Sequence, residues 1–266
     1  MNIDQKRIVI TGASSGIGRA LLQELSGRPV QVVVVARDER RLRAAIGSVN
    51  ASQARVLSFT GDLARQSDVN DLFEYAIEMM GGIDLFFANA GFAYWERVQE
   101  PDWGRIEAIF ETNVFSPIYA LQKMHALQPG SDYRVVFTSS ILGRVGLDGY
   151  ALYSATKAAL DRFAEVYRLE TGKSSRLVLA YPLAVRSRFF QRAGRAPIPW
   201  LSQSAEDAAR AILRGIEKER ETIYTSWILP PMLLVNHLLP FTRRWYQALD
   251  AKVARQHWAS QGELEN

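Results

Sequence analysis

The sequence predicts an α/β protein with a doubly wound, mostly parallel sheet and helices on both faces. Three observations support this prediction. Short apolar runs alternate with segments of helical period, one run is so apolar that both of its faces must be covered, and glycines follow the first run where a strand would turn into a helix. Because the 266 residues are 48% apolar, we expect one domain over residues 1–225 and an apolar, amphipathic extension over residues 226–266.

The predicted elements alternate along the chain. RIVIT is the first strand, a helix begins at Ile17, and VQVVVVA is the second, doubly covered strand. RVLSF precedes a helix near residues 67–80, IDLFFA precedes a helix from about Trp103, and YRVVFTS precedes a helix that begins ALYSATKAAL. RLVLAYP closes the regular pattern. Strands joined by helices favour parallel pairing, and in such a sheet ligands bind at the carboxyl ends of the strands.

The composition excludes several classes of function. The chain has no cysteine, which removes disulfides, thiolate metal ligands and thiol nucleophiles and suits a reducing cytosol. The charged N-terminus MNIDQKRIVIT does not resemble a secretory signal, so we expect a cytoplasmic protein. Because His125, His237 and His257 are scattered, no metal is predicted. The net charge of +4 comes without a dense basic tract among aromatics, so nucleic-acid binding is not expected.

The segment TGASSGIG lies between the first strand and the first helix, where a dinucleotide-binding loop belongs. Gly12 would permit the tight turn, Gly16 would let the backbone approach a pyrophosphate, and Gly18 would let the helix pack closely. The alternative is an ordinary flexible turn. The strand before and the amphipathic helix after favour the dinucleotide loop.

The second strand ends at Ala36 and Arg37, where nicotinamide enzymes distinguish a ribose hydroxyl from a phosphate. A guanidinium can hold a phosphate through charge-assisted hydrogen bonds, so Arg37 predicts NADP(H) in preference to NAD(H). The alternative is that RDERR is only the solvated first turn of a helix.

Five separated motifs make the chain resemble the classical short-chain dehydrogenase/reductase family. The glycine loop has three residues between its first two glycines, as in that family, and four further motifs follow in order: GDL with Asp62, ANAG with Asn89, Ala90 and Gly91, TNV with Asn113, and TSS before YSATK with Ser140, Tyr153 and Lys157. The resemblance covers roughly residues 5–225. It implies a Rossmann-type fold with a seven-stranded sheet.

The resemblance also implies a catalytic tetrad of Asn113, Ser140, Tyr153 and Lys157. Tyr153 would exchange the proton, and Lys157, one helical turn away on the same face, would lower the pKa of the phenol and bind the nicotinamide ribose. Ser140 would orient the substrate oxygen, and Asn113 would hold a water molecule in the proton path. Ser139 is the alternative catalytic serine, but Ser140 has the family's offset of thirteen residues from Tyr153.

The predicted cofactor-binding set extends over the ends of several strands: Gly12, Ser14, Ser15, Gly16, Ile17, Gly18, Arg37, Asp62, Leu63, Asn89, Ala90, Gly91, Tyr153, Lys157, Pro182, Val185 and Ser187. Asp62 resembles the family's adenine contact. The chain departs from the family at Leu183, where a glycine is usual after the proline, and at Ser187, where a threonine is usual.

These features predict an NADP-dependent oxidoreductase that interconverts a carbonyl and an alcohol by hydride transfer, with an apolar ketone or a 3-oxoacyl compound as substrate. The loops after the fourth, fifth and sixth strands also offer Phe92 and Trp200, and the predicted substrate contacts are Trp95, Ser140, Leu142, Phe189 and Phe190. The alternative function is a non-catalytic protein on the same fold that senses a dinucleotide or is recruited to a membrane.

The C-terminal extension contains WILPPMLLVNHLLPF and TRRWYQALDAKVARQHW. It is too short and too interrupted by proline to span a bilayer. It could close the substrate pocket, form an oligomer interface or contact a membrane surface with its basic residues, and burial within the protein is the preferred interpretation. The family resemblance implies a homodimer or homotetramer through the helices that bear Asn113 and Tyr153.

Overall fold

The computed structural model describes residues 1–98, 100–127, 132–172, 176–194, 196–197, 199, 201–239, 247–248, 250–252 and 254–255. In these ranges the strands are β1 Arg7–Thr11, β2 Gln31–Ala36, β3 Arg55–Thr60, β4 Leu85–Ala88, β5 Arg134–Thr138, β6 Leu177–Tyr181, β7 Ala184–Val185, β8 Ser202–Gln203 and β9 Thr222–Tyr224. The helices are α1 Gly16–Leu25, α2 Glu39–Gly47, α3 Gln66–Met80, α4 Trp103–Phe110, α5 Ser116–Leu127, α6 Ala151–Thr171, α7 Arg188–Arg192, α8 Ala205–Glu217 and α9 Leu229–Leu238.

Seven of the described strands form one parallel sheet in the order β3-β2-β1-β4-β5-β6-β9, and β7 pairs with β8 separately. This confirms the predicted Rossmann-type fold. The strand β9 was not among the apolar runs singled out in the sequence. It pairs Thr222 with Leu179 of β6, and its three residues are too short to produce a periodic signal.

Both faces of the sheet are covered, as the apolar second strand predicts. Val32 and Val34 belong to a core cluster with residues of α1, α2 and α8 on one face, and Val33 and Val35 belong to a cluster with residues of α3, α5 and α6 on the other. All four side chains are buried. Because each such side chain contributes about 1.5–3 kcal/mol when it is removed from water, β2 is a main source of stability for both layers.

The order of the sheet reverses between β1 and β4, which opens a crevice at the carboxyl ends of these two strands. Thr11 holds the crevice together: its hydroxyl donates to the carbonyl of Phe87 at 2.9 Å and accepts from the amides of Asn89 and Ala90, each at 2.9 Å. The Asn89 amide group donates back to the carbonyl of Thr11 at 3.0 Å. The loop after β4 therefore has a fixed position beside the glycine loop after β1.

The helix predicted from about Trp103 continues from α4 into α5 through a π-helical turn at Glu111–Phe115. The amide of Ser116 donates to the carbonyl of Glu111, five residues earlier. Pro117 explains the wide turn, because it has no N–H to donate to the carbonyl four residues before it and its ring needs extra room there. Asn113 lies within this turn.

Candidate active site

A cavity of about 670 Å³ follows the carboxyl ends of the strands. The glycine loop and the ends of β2 and β4 line one part of it, which we call the cofactor end. The loop after β5, together with Phe189 and Phe190 of α7 and Met232 of α9, lines the other part, which we call the substrate end. Tyr153 and Lys157 line the same cavity.

The glycine loop has the backbone that a pyrophosphate requires. Gly12 and Gly16 have φ of +68° and +55°, values that favour glycine. A Cβ on Gly18 would lie 2.5 Å from the carbonyl oxygen of Gly12, so this position tolerates only glycine without a backbone shift. Helix α1 then begins at Gly16 with no acidic residue in its first turn and, in the described structure, no side-chain cap from Ser15. Its first amides therefore remain able to bind an anion at the cavity wall.

All members of the predicted cofactor-binding set except Gly18 line the cavity. Gly18 lies behind the loop, where it permits the close packing of α1. The residues that line the cofactor end therefore fit a nicotinamide dinucleotide: the backbone of the glycine loop would hold its pyrophosphate, and the charged Arg37 follows the end of β2. Leu183 also lines the cavity, and its amide donates to the Thr225 hydroxyl at 3.1 Å.

Arginines from separate parts of the chain converge at the cofactor end. Arg37, Arg41 and Arg192 all line the cavity, and Arg37 Nη1 lies 3.9 Å from Asp62 Oδ1. Burial lowers the pKa of Arg192, and the nearby charges of Arg41 and Arg37 lower it further. Sequence reasoning singled out Arg37 alone. Arg41 could have been found because it lies four residues after Arg37, in the first turn of α2, whereas Arg192 lies in a distant segment and gave no signal.

Tyr153 is buried at the centre of the cavity wall, with Ser140 beside it. Burial raises the pKa of the phenol to about 12, and the hydrogen bond with Ser140 opposes this rise. The net direction is opposite to the lowering that the sequence predicts. Desolvation of the phenolate outweighs favourable interactions, so the phenol carries its proton near neutral pH.

Lys157 lies one turn further along α6, with Nζ 5.5 Å from the centroid of the Tyr153 ring. Its ammonium donates to the carbonyl of Thr138 at 2.8 Å. Burial lowers the pKa of Lys157 to about 8, and the charge of Asp161 opposes the change. Lys157 therefore changes charge near physiological pH, while Tyr153 does not.

Asn113 is buried and uses its amide group within the protein. Its Oδ1 accepts from the amide of Phe92 at 3.1 Å, and its Nδ2 donates to the carbonyl of Phe92 at 2.9 Å and to Thr156 Oγ1 at 3.2 Å. Asn113 therefore fastens the loop after β4 to α6. Both of its amide hydrogens already have protein partners.

The two serines after β5 have different surroundings. Ser139 is buried and donates to Asp161 Oδ1 at 2.6 Å, so its hydroxyl proton is already engaged. The Ser140 hydroxyl accepts the amide of Leu142 at 3.2 Å and interacts with Tyr153. Of the two, Ser140 is therefore the serine beside the phenol.

The substrate end gathers some of the predicted apolar residues. Phe92, Leu142, Phe189 and Phe190 line the cavity, and the ring of Phe189 meets that of Tyr153 edge-on with centroids 5.4 Å apart. Sequence reasoning did not single out several further residues of this wall, which come from three separate segments of the chain. They include Val145, Leu147, Tyr150, Leu201 and Met232.

Trp95 is not among the described residues that line the cavity, so the structure does not support it as a substrate contact. It is buried in the cluster behind the wall, where its indole N–H donates to the carbonyl of Asp148 at 3.2 Å and its backbone amide donates to Ala193. Its physical role is to pack the substrate loops against each other. Trp200, also offered by these loops, lies outside the described residues.

The described parts of the C-terminal extension pack around the substrate end. Met232 and Asn236 of α9 line the cavity, and Ala254 is buried in the cluster that contains Tyr153. Gln247 donates to the carbonyl of Gly146 at 2.8 Å, and Asp250 accepts the amide of Asp148 at 3.3 Å. Among the helices of the described ranges, none is both long and apolar enough to cross a membrane.

Comparisons with known proteins agree with this architecture. Residues 6–196 match the family described as short chain dehydrogenase. An uncharacterised oxidoreductase of Listeria monocytogenes is 31% identical over 197 residues, which are 72% of this chain and 79% of that protein.

Two solved structures have the same fold. A short-chain dehydrogenase from Sphingobium yanoikuyae in complex with NADPH is 27% identical and has a TM-score of 0.72. The match covers 95% of this chain and 94% of that protein. A short chain dehydrogenase/reductase from Burkholderia phymatum in complex with NAD is 21% identical and has a TM-score of 0.81. The match covers 89% of this chain and 94% of that protein. The family match, the parallel sheet and the glycine loop together show that this chain belongs to the short-chain dehydrogenase/reductase family of oxidoreductases.

Proposed function

We propose that the protein is an NADP(H)-dependent oxidoreductase that interconverts an apolar carbonyl compound and its alcohol, with Tyr153 as the acid and base. One observation supports this most directly: Ser140, Tyr153 and Lys157 line the same cavity as the glycine loop and a group of apolar side chains. A carbonyl held against that wall would have a proton donor at its oxygen and the cofactor end beside its carbon.

The chemistry follows from the state of each side chain. A bound nicotinamide dinucleotide supplies or accepts the hydride. Tyr153 retains its proton because burial raises its pKa to about 12, so it donates that proton to the oxygen as charge develops there. Ser140 lies beside the phenol and can share the same oxygen, which fixes its orientation. The ammonium of Lys157 lies close enough to stabilise the phenolate that remains.

The preference for NADP(H) rests on the arginines of the cofactor end. Arg37 and Arg41 come from the end of β2 and the start of α2, and Arg192 approaches from α7. The phosphate on the adenosine ribose of NADP(H) would meet these guanidinium groups. The carboxylates of Asp38 and Asp62 would repel that phosphate less, because they already lie 3.1 Å from Arg41 and 3.9 Å from Arg37.

The substrate class rests on the chemistry of the wall. Beyond Tyr153 the cavity is lined mainly by aliphatic and aromatic side chains: Leu142, Val145, Leu147, Phe189, Leu201 and Met232. Burying apolar surface there would provide most of the binding free energy, while Ser140 and Tyr153 would select the oxygen. We propose that α9 acts as a lid over this wall, because Met232 of α9 is one of its lining residues.

We also propose that the protein forms a homodimer or a homotetramer through the helices that bear Asn113 and Tyr153. Large apolar side chains are exposed there: Trp103 by 77%, Phe115 by 60% and Leu169 by 79%. Apolar surface of this kind is typical of an interface. Sedimentation of the wild type should give a multiple of the 29.9 kDa chain, and Leu169→Glu should reduce the mass. A monomeric wild type would contradict the proposal.

The enzymatic proposal is tested by NADPH oxidation against a panel of apolar ketones and 3-oxoacyl thioesters. We expect turnover with at least one apolar ketone and a loss of about 10²–10⁴-fold in Tyr153→Phe, the usual contribution of a general acid. NADPH binding, followed by fluorescence, should persist in that variant. Turnover that survives Tyr153→Phe unchanged would refute the role of Tyr153, and a wild type that binds neither nucleotide would refute the proposed function.

A further inference from the structure

Helix α6 presents three polar side chains, one turn apart, to the end of β5: Tyr153, Lys157 and Asp161. The first two belong to the proposed reaction. The third accepts the hydroxyl of Ser139 through Oδ1 at 2.6 Å, while Lys157 holds the carbonyl of Thr138 at 2.8 Å. Lys157 and Asp161 thus hold Thr138 and Ser139, the two residues immediately before Ser140, against α6.

Arg144 completes the surroundings of Asp161. Its Nε donates to Asp161 Oδ2 at 3.1 Å, Nη2 donates to the Tyr181 hydroxyl at 2.6 Å, and Nη1 donates to the Tyr224 hydroxyl at 3.0 Å. The guanidinium also lies over the Tyr181 ring, 4.4 Å from its centroid. Arg144 therefore joins β6, β9 and α6 at a point directly after the turn that carries Leu142 into the cavity wall.

The charges at this place have a definite order. Asp161, with a side chain only 14% exposed, lies between the guanidinium of Arg144 on one side and the ammonium of Lys157 on its own helix. Tyr153 faces Lys157 from α6, and Tyr181 and Tyr224 face Arg144 from β6 and β9. A carboxylate with so little exposure costs free energy of folding unless it is paired, and Arg144 and Ser139 provide that pairing for Asp161.

We propose that Asp161 and Arg144 are positioning residues of the active site. Asp161 fixes Ser139, and through the backbone the adjacent Ser140, while its negative charge favours the ammonium form of Lys157. Arg144 ties the substrate loop to the same carboxylate and moderates its charge. This inference rests on the proposed function, because it assigns Ser140 and Lys157 to the reaction.

The two residues should have opposite effects on the ionisation of Lys157. Asp161 raises the pKa of Lys157 against the lowering caused by burial. Removing its charge in Asp161→Asn should therefore let Lys157 lose its proton at lower pH. Removing the positive charge in Arg144→Gln leaves Asp161 less compensated, so Lys157 should lose its proton at higher pH.

The experiment is a titration of NADPH affinity against pH, followed by fluorescence, together with the pH–rate profile of the ketone that the wild type reduces. We expect the pH midpoint of the change in NADPH affinity to move down by about one pH unit in Asp161→Asn and up by a similar amount in Arg144→Gln. Lys157→Met should abolish the transition, which assigns it to that residue. Arg162→Gln is the matched control, because Arg162 lies on the same helix in an exposed pair with Glu165 at 2.7 Å, and its midpoint should not move.

Ser139→Ala separates position from charge. It keeps both charges and removes only the hydrogen bond, so turnover should fall by about ten- to a hundredfold, the fold-change that corresponds to one hydrogen bond to a charged group, while the midpoint stays in place. This variant and Arg144→Gln keep the test decisive if Asp161→Asn does not fold. A wild-type protein that turns over while no variant moves the midpoint, or while both charge variants move it in the same direction, would overturn the inference. A wild type that neither binds NADPH nor turns over would instead overturn the proposed function.

Discussion

The two ends of the cavity are built in different ways. The cofactor end is formed largely by backbone: a glycine turn, the uncapped first turn of α1 and a loop after β4 that is fastened by Thr11. The substrate end is formed by side chains of α7, α9 and the loop after β5, which meet only in the folded protein. The cofactor end is thus formed by short, local segments of backbone, whereas the substrate end depends on the packing of side chains from distant segments.

Because of this difference, the two ends should tolerate different substitutions. A backbone site fails when a Cβ or a strained torsion angle is introduced, because there is nowhere for the backbone to move. A wall of side chains tolerates exchange more easily, because neighbouring groups can repack, and it changes specificity before it loses binding. Substitutions at the two ends should therefore affect different ligands by different amounts.

The largest effect is expected for Gly18→Ala at the cofactor end. The new Cβ would lie 2.5 Å from the Gly12 carbonyl oxygen, and because that atom is backbone, NADPH affinity should fall by about 100-fold. Gly27→Ala is the matched control, since its Cβ would meet no described heavy atom within 4 Å. Fluorescence titration measures both. Equal affinity in the two variants would show that the loop does not need close packing.

Arg37→Glu should change cofactor preference at the same end. Losing one charge-assisted hydrogen bond, worth about 2 kcal/mol, should weaken NADPH binding by about 30-fold and leave NADH binding nearly unchanged. Arg43→Glu makes the same charge change on α2, in an exposed side chain paired with Glu39, and serves as the control. If both variants weakened NADPH binding equally, the preference would come from net charge rather than from this position.

At the substrate end, Phe189→Ala should raise the KM of an apolar ketone by about tenfold, because about 1.4 kcal/mol of apolar contact is lost. NADPH affinity should stay within a factor of about two, because the Phe189 ring packs against Tyr153 and carries no charge to pair with the cofactor. Steady-state kinetics separate the two constants. Ile77→Ala, on the exposed face of α3, is the control. An increase in the NADPH dissociation constant without a change in KM would reverse the assignment of the two ends.

The smallest effect concerns pH at the boundary between the ends. The pKa of Lys157 is lowered to about 8, so its ammonium is present below that pH and is lost as the pH rises through it. NADPH carries negative charge, and its affinity should therefore fall about threefold between pH 7 and 9. Isothermal titration at the two pH values measures this. An affinity that rises with pH would contradict the assigned ionisation.

Much of the fold could be predicted because its signals are local. The unbroken run of valines in β2 requires cover on both faces, and the spacing of Gly12, Gly16 and Gly18 predicts a strand before and a helix after, which is what the structure has. Strand β9 escaped prediction, because three residues have no period and their pairing with β6 is decided more than forty residues away.

The order of the elements, the place of the glycine loop and the pairing of Tyr153 with Lys157 on one helix face follow from the residues alone, because backbone preference and helical period act over a few residues. Tertiary packing brings Arg192 and Met232 to the cavity and Trp95 behind it, since these positions depend on how distant segments meet. It also decided the direction of the Tyr153 pKa, because burial sets the cost of a charge and no spacing in the sequence encodes burial.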